Sequence, residues 1–391
     1  MNLIQSLIVS TLVAGTLSPS LCPAIIAEAP TDLSQVDKPM TIKVLVAQKK
    51  EKIFLEARGS YHVYQPVDGK QLSSGNSSKR AFVISDPLGL KWKERYLGSS
   101  HLRIVPGDAQ STLLVDGIEY RGCLEIYDMG GKLNIVNEVS LEHYLKSCLT
   151  SQFQEEMDED VMDSIAIVAR TNAQYLVSRK PNAPWHVEAQ EVGYQGYALT
   201  LQNLHVDRSI DNTKNLILTY QDQPFAATWT EDSAGKTADF AAMFRRSVAT
   251  PRGVQAPFAL RDREKHHWSF SLSRQELSKL LQTDKITSID LFQDKQSEKV
   301  YAVKIQDTRG SHNIDFIQLQ KALGEKRLKS SDFTIQFHGE NITFNGYGQG
   351  YGVGLCLYSA NAMAEHGENA KKILATFFPE TKLQNVQNRV K

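Results

Sequence analysis

Gly346-Tyr347-Gly348-Gln349-Gly350-Tyr351-Gly352-Val353-Gly354 runs into Leu355-Cys-Leu-Tyr-Ser-Ala360 and a helical tail that ends in Phe377-Phe-Pro-Glu-Thr381. Glycine at every second position has the period of a strand. An extended reading therefore puts all five glycines on one face and Tyr347, Gln349, Tyr351 and Val353 on the other. Glycine weakens a strand, and a row of them marks a place where another backbone or a ligand comes close, so the run reads as a binding floor. A dinucleotide loop does not fit: its spacing after Gly346 and Gly348 requires glycine at 351, where Tyr351 stands, and no βαβ pattern surrounds it.

Upstream of this ribbon the text changes period. From residue 41 to about 139, short β runs such as Ile42–Val46, Ile53–Glu56, Tyr61–Tyr64, Ala81–Ile84, His101–Val105, Leu113–Val115 and Leu133–Val136 alternate with turn residues. Hairpin signals stand at Val67-Asp-Gly-Lys70, Val115-Asp-Gly-Ile118 and Met129-Gly-Gly-Lys132. Leu141, Tyr144, Leu145, Cys148 and Leu149 then fall at helical spacing behind Ser140, a candidate cap. A second helix opens on Asp158-Glu-Asp160, buries Val161, Met162, Ile165, Val168, Ala169 and Leu176, and stops at Arg179-Lys-Pro181. Arg170 is poorly placed for that stripe. Residues 217 to 344 mix strands and helical patches, so the fold class expected is α+β: a β-rich part over 41–139 and a mixed body over 140–385, with the glycine strand lining a cleft.

The chain has 391 residues, and its 44 basic and 44 acidic side chains cancel, so nothing in its charge favours nucleic acid. No charged side chain precedes Glu28, and Leu3 to Leu21 are mostly apolar, so residues 1–27 read as a signal peptide or signal anchor and 28–40 as a proline-punctuated tether. That places the protein outside the cytoplasmic membrane. The cysteines, Cys22, Cys123, Cys148 and Cys356, are too scattered for a zinc motif, and removal of Cys22 with the leader leaves an odd number.

Separated segments carry a resemblance: Tyr120-Arg-Gly-Cys-Leu-Glu125 ahead of Val136-Asn-Glu-Val-Ser-Leu-Glu-His-Tyr-Leu145, then Ile165-Ala-Ile-Val-Ala-Arg-Thr171, Ser233-Ala-Gly-Lys-Thr237, and the ribbon with its tail. In order and spacing the chain resembles the stage II sporulation protein D / LytB family of bacterial cell-wall proteins over residues 41 to 385. The resemblance implies a protein of the periplasm or cell envelope acting on peptidoglycan glycan strands, as a lytic transglycosylase or as a partner of cell-wall amidases and division machinery. It implies no cofactor. Family members that hold a metal use cysteines after the helix, and this chain has none between Cys148 and Cys356, so no metal is expected.

In that chemistry a carboxylic acid protonates the glycosidic oxygen and then, as carboxylate, helps the muramyl C6 hydroxyl close a 1,6-anhydro ring. The family's glutamate stands eighteen residues before the arginine of Ala-Arg-Thr, and counting back from Arg170 gives Gln152. An amide has no ionisable proton and can be neither acid nor base. The ribbon also departs, with Tyr351 for the family's histidine and Leu357 for its glutamine, and Trp229-Thr-Glu231 replaces Phe/Tyr-His-Ser. Three readings stay open: a glycan-binding protein whose catalysis is lost or weakened, a transglycosylase whose acid is Glu155 or Glu156, or an amidase enhancer or scaffold whose target is another envelope protein. Candidate glycan contacts are Arg170, Trp229, Tyr351 and the backbone at Gly348, Gly350, Gly352 and Gly354, with Arg170 equally suited to a structural ion pair. His266-His267 reads as structural, because neighbours on a strand face opposite ways.

Overall fold

The structure is a computed structural model that describes residues 40–197 and 203–386, so the expected leader and nearly all of the tether lie outside the described residues. The fold is α+β. The N-terminal strands form two sheets. One is seven-stranded, in the order Val187–Glu188, Thr41–Lys50, Leu133–Ser140, Cys123–Asp128, His101–Pro106, Tyr61–Gln65, Lys70–Gly75; the other is six-stranded and centres on Lys52–Arg58 and Lys79–Asp86. All three turn signals become hairpin connections. Asp116 and Gly117 both have positive φ, 48° and 87°, as a two-residue turn between antiparallel strands requires, and Gly130 and Gly131 do the same at 68° and 81°.

Cys123–Asp128 is a central strand that the apolar pattern did not reveal, because Glu125 interrupts its apolar run. Glu125 lies directly across from Arg103 and is nearly buried; Arg103 Nη1 donates to both Glu125 and Glu138 at 2.6 Å, and Lys43 Nζ reaches Glu125 at 3.3 Å. Burial alone would raise the Glu125 carboxyl, but hydrogen bonds from His101 and Tyr127 and the charges of Lys43 and Arg103 outweigh it and hold it down at about 2. A carboxyl lowered in the folded state stabilises above its ordinary value of 4.5, and that contribution is lost as pH falls toward 2. Thermal melts of the native protein should therefore weaken over this window, and Glu125→Gln should melt lower at neutral pH with a shallower acid loss.

Helix α1 (Leu141–Gln152) starts where expected, with Ser140 Oγ accepting from His143 N, and α2 (Glu159–Arg179) starts on Asp158, whose Oδ1 accepts from Asp160 N at 2.9 Å. Both helices continue the apolar core of the sheets. That core runs from Ile42 through Trp92, Leu124, Ile165 and Val168 to Leu355, Leu374 and Phe377. A second core, built on Trp268, Leu277, Val303, Phe316, Phe333 and Phe344, takes in Tyr351 and Val353. The glycine ribbon thus passes from one core to the other.

The ribbon is not a regular strand. Pairing as part of Asn341–Tyr347 ends at Tyr347, and Gly348, Gly350, Gly352 and Gly354 all have positive φ, 72°, 98°, 69° and 80°. The expected flat face of bare backbone is corrected on this point: the run coils between protein segments on both sides. Gln349 and Asp232 exchange backbone hydrogen bonds, Gly352 O accepts from Ala238 N, and Leu355 N donates to Thr228 O; across the run, Gly350 N donates to Lys329 O and Gly350 O accepts from Ser331 N. A side chain at Gly348 would meet Asp232 O at 2.6 Å, and one at Gly354 would meet Thr228 O at 2.0 Å. The close approach that glycine permits here is to the protein's own backbone.

Candidate functional site

Trp229–Thr230 is a two-residue strand parallel to Leu355–Cys356, the continuation of the ribbon. Period-two geometry turns Trp229 and Glu231 outward together, while Thr230 is buried, its hydroxyl donating to Gln349 O and accepting from Gly352 N. The helix Leu357–Glu365 is anchored alongside by Tyr358 N, which donates to Glu231 O at 2.9 Å. The segment after α1, from Phe153 to Asp158, faces both. These three stretches enclose an open groove of about 770 Å3, within the roughly 300–1,000 Å3 range of small-molecule sites.

Its walls carry aromatic rings and amides. The Phe153 and Trp229 rings are 5.8 Å apart and tilted. Tyr358 is braced from behind: the His266 ring meets it edge-on at 4.6 Å, its hydroxyl donates to Asp262 Oδ2 at 3.1 Å, and His266 Nδ1 is itself tied to Asp232 Oδ2 at 2.5 Å. Tyr358 is therefore held in place by its own neighbours. Gln152, the last residue of α1, borders the groove and a smaller cavity of about 20 Å3 beneath Trp229; its Nε2 is buried with no hydrogen-bond partner in the described structure.

The groove brings Gln152, Glu155, Glu156 and Trp229 together, and it leaves Arg170, Tyr351 and the ribbon glycines elsewhere. Arg170 is fully buried: it holds Glu142 bidentately, Nε to Oε1 at 3.0 Å and Nη2 to Oε2 at 2.7 Å, and donates to Ile210 O, Thr213 Oγ1 and Leu216 O. It is corrected from a sugar contact to a structural ion pair. The expectation failed because α2 is packed on several sides, so the face away from its apolar stripe is interior too. Tyr351 is likewise corrected; it is 6% exposed and sits in the second core between Phe244 and Phe316. Gly348, Gly350, Gly352 and Gly354 are packed as described above, and Gly352 lies against the Lys299 side chain.

Glu155 and Glu156 are exposed, and Glu156 faces His205 at 3.4 Å. Glu231 is the carboxylate that the sequence reading missed. It is half-buried, and burial, with the charge of Glu325 adding to it, raises its carboxyl above the ordinary range. The signal was present: Glu231 is two residues from Trp229 in an extended segment, so a groove-facing tryptophan implies a groove-facing glutamate. Among the described residues no three His, Cys, Asp or Glu side chains are grouped to hold a metal ion.

The family model described as "Stage II sporulation protein" matches residues 129–220, which include Gln152 and Arg170. An uncharacterized protein of Chlamydia pneumoniae is 34% identical over 179 residues, 45% of this chain and 65% of that protein. Stage II sporulation protein D of Bacillus subtilis is 21% identical over 264 residues (63% of this chain, 75% of it), and the amidase enhancer of the same organism is 23% identical over 296 residues (61% and 40%). The chain spans just under two-thirds of the length of its Chlamydia relatives, 65% and 62%. Taken with the retained order of motifs, these matches support a reading of the chain as a divergent relative of the SpoIID/LytB family.

Proposed function

We propose that this protein binds peptidoglycan glycan strands in the groove between Gln152–Asp158, Trp229–Glu231 and Tyr358. The observation that carries the reading is the grouping of aromatic faces with the Gln152 side chain around one open groove. Aromatic rings offer rigid apolar area to the faces of a sugar, and the Gln152 side chain at the groove edge offers an amide partner to an N-acetyl group. Gln152 itself transfers no proton, so family chemistry at that position is lost. Residues 1–27 would carry the chain out of the cytoplasm, cleaved or as an anchor; among the described residues no helix is long and apolar enough to cross a membrane.

The likeness to a protein named amidase enhancer supports a second role in the same compartment, as a partner of a cell-wall amidase. A pull-down on glycan strands stripped of stem peptides tests the first reading. Retention of the native protein is expected, with Trp229→Ala weakening it about tenfold, roughly 1.4 kcal/mol. No retention of the native protein would reject glycan binding and leave the protein-partner role.

A further inference from the structure

The groove holds the carboxylates of Glu155, Glu156, Asp158, Glu231 and Glu365, and they are not equivalent. Asp158 caps α2 through Asp160 N. Glu155, Glu156 and Glu365 are exposed to solvent. Glu231 alone among them is half-buried, shares the outward face of its strand with Trp229, and makes no side-chain hydrogen bond or ion pair to any described residue. Its backbone is also the most firmly held, with its carbonyl accepting from Tyr358 N and the next residue in a two-way hydrogen-bond exchange with Gln349. An acid that must donate a proton needs partial burial, no cationic partner, and a fixed position; Glu231 has all three.

We propose that Glu231 is the catalytic acid/base of this protein, taking over across the groove the role that Gln152 cannot perform. The inference rests on the glycan-binding reading above and adds the residue that would perform the reaction the family resemblance implies. The protonated carboxyl gives its proton to the glycosidic oxygen as the bond from that oxygen to the muramyl C1 breaks. The resulting carboxylate then accepts the proton of the C6 hydroxyl as O6 bonds to C1 and closes the 1,6-anhydro ring. The proton lost in the first step is regained in the second, and neither water nor a co-reactant is consumed. Burial favours the protonated form at rest, which is the form the first step needs.

The test incubates the full-length protein with denuded glycan strands and follows anhydro-muramyl ends by mass spectrometry, with strand retention measured in parallel. The native protein should form product, and Glu231→Gln should lower its rate about 100- to 10,000-fold while still being retained on the strands. Glu231→Asp, which keeps the acid but withdraws it, should fall between the two. Retention of the native protein without product overturns the assignment and leaves glycan binding intact. Product formed by Glu231→Gln at the native rate, or lost in Glu155→Gln or Glu156→Gln but not in Glu231→Gln, also overturns it. Absence of both retention and product rejects the binding reading together with this one.

Discussion

Arg170→Ala is expected to destabilise the protein by about 3–5 kcal/mol, the range found when one member of a buried ion pair is removed. The guanidinium is fully buried and satisfies both oxygens of Glu142, the carbonyls of Ile210 and Leu216, and the Thr213 hydroxyl. Alanine leaves that set of acceptors facing a void, and the Glu142 carboxylate, itself only 19% exposed, loses its counter-charge. Lysine is no remedy, because a point charge cannot serve the two carboxylate oxygens and three further acceptors that the planar fork reaches at once. Arg170→Lys should therefore recover less than half of the loss. Urea denaturation with the slope held equal measures both. A shift under about 1 kcal/mol for Arg170→Ala would show that the pair is replaceable. Any glycan retention by the still-folded fraction should be native, because Arg170 lies outside the groove.

Gly354→Ala should harm both folding and binding. Its φ of 80° strains any residue with a Cβ by about 1–3 kcal/mol, and that Cβ would stand 2.0 Å from Thr228 O. No rotamer relieves an overlap between a Cβ and a backbone carbonyl. The two segments must part at the Leu355 N to Thr228 O hydrogen bond, next to the Trp229–Leu355 pairing that sets the groove wall. A stability loss above about 3 kcal/mol is expected, with weaker glycan retention even under conditions where the variant is folded. Gly367→Ala supplies the comparison, since that glycine also has positive φ, 83°, but open space around it, so it should show the conformational strain alone. Equal losses in the two variants would refute the packing argument.

Local chemistry made much of the fold legible. Asp116-Gly117 and Gly130-Gly131 could close only turns of positive φ, and Ser140 and Asp158 capped the helices that the apolar spacing drew behind them. Lys70–Gly75 and Cys123–Asp128 escaped notice for the opposite reason: one is a polar edge strand, and the other carries Glu125 into a charged face where alternation of apolar and polar fails as a signal. In the site, Gln152 and Trp229, which the family resemblance implied, and their neighbours Glu155 and Glu156 do share a groove. Tyr351 and the glycines were misread because a period of two was taken as a strand, whereas the positive φ values bend each step and send Tyr351 into the second core.

The residues by themselves determined that a β-rich part precedes two capped helices, that position 152 bears no ionisable proton, and that the ribbon demands close approach. These follow from short-range sterics and covalent chemistry, which a linear text contains. What approaches the ribbon, which charge Arg170 meets, and which carboxylate is sheltered are settled by contacts between segments far apart in the chain: Gly354 on Thr228, Arg170 on Glu142, Tyr358 on Glu231. Only the packed molecule decides them, because desolvation and backbone overlap depend on what lies opposite, and the sequence names a side chain without naming its neighbours.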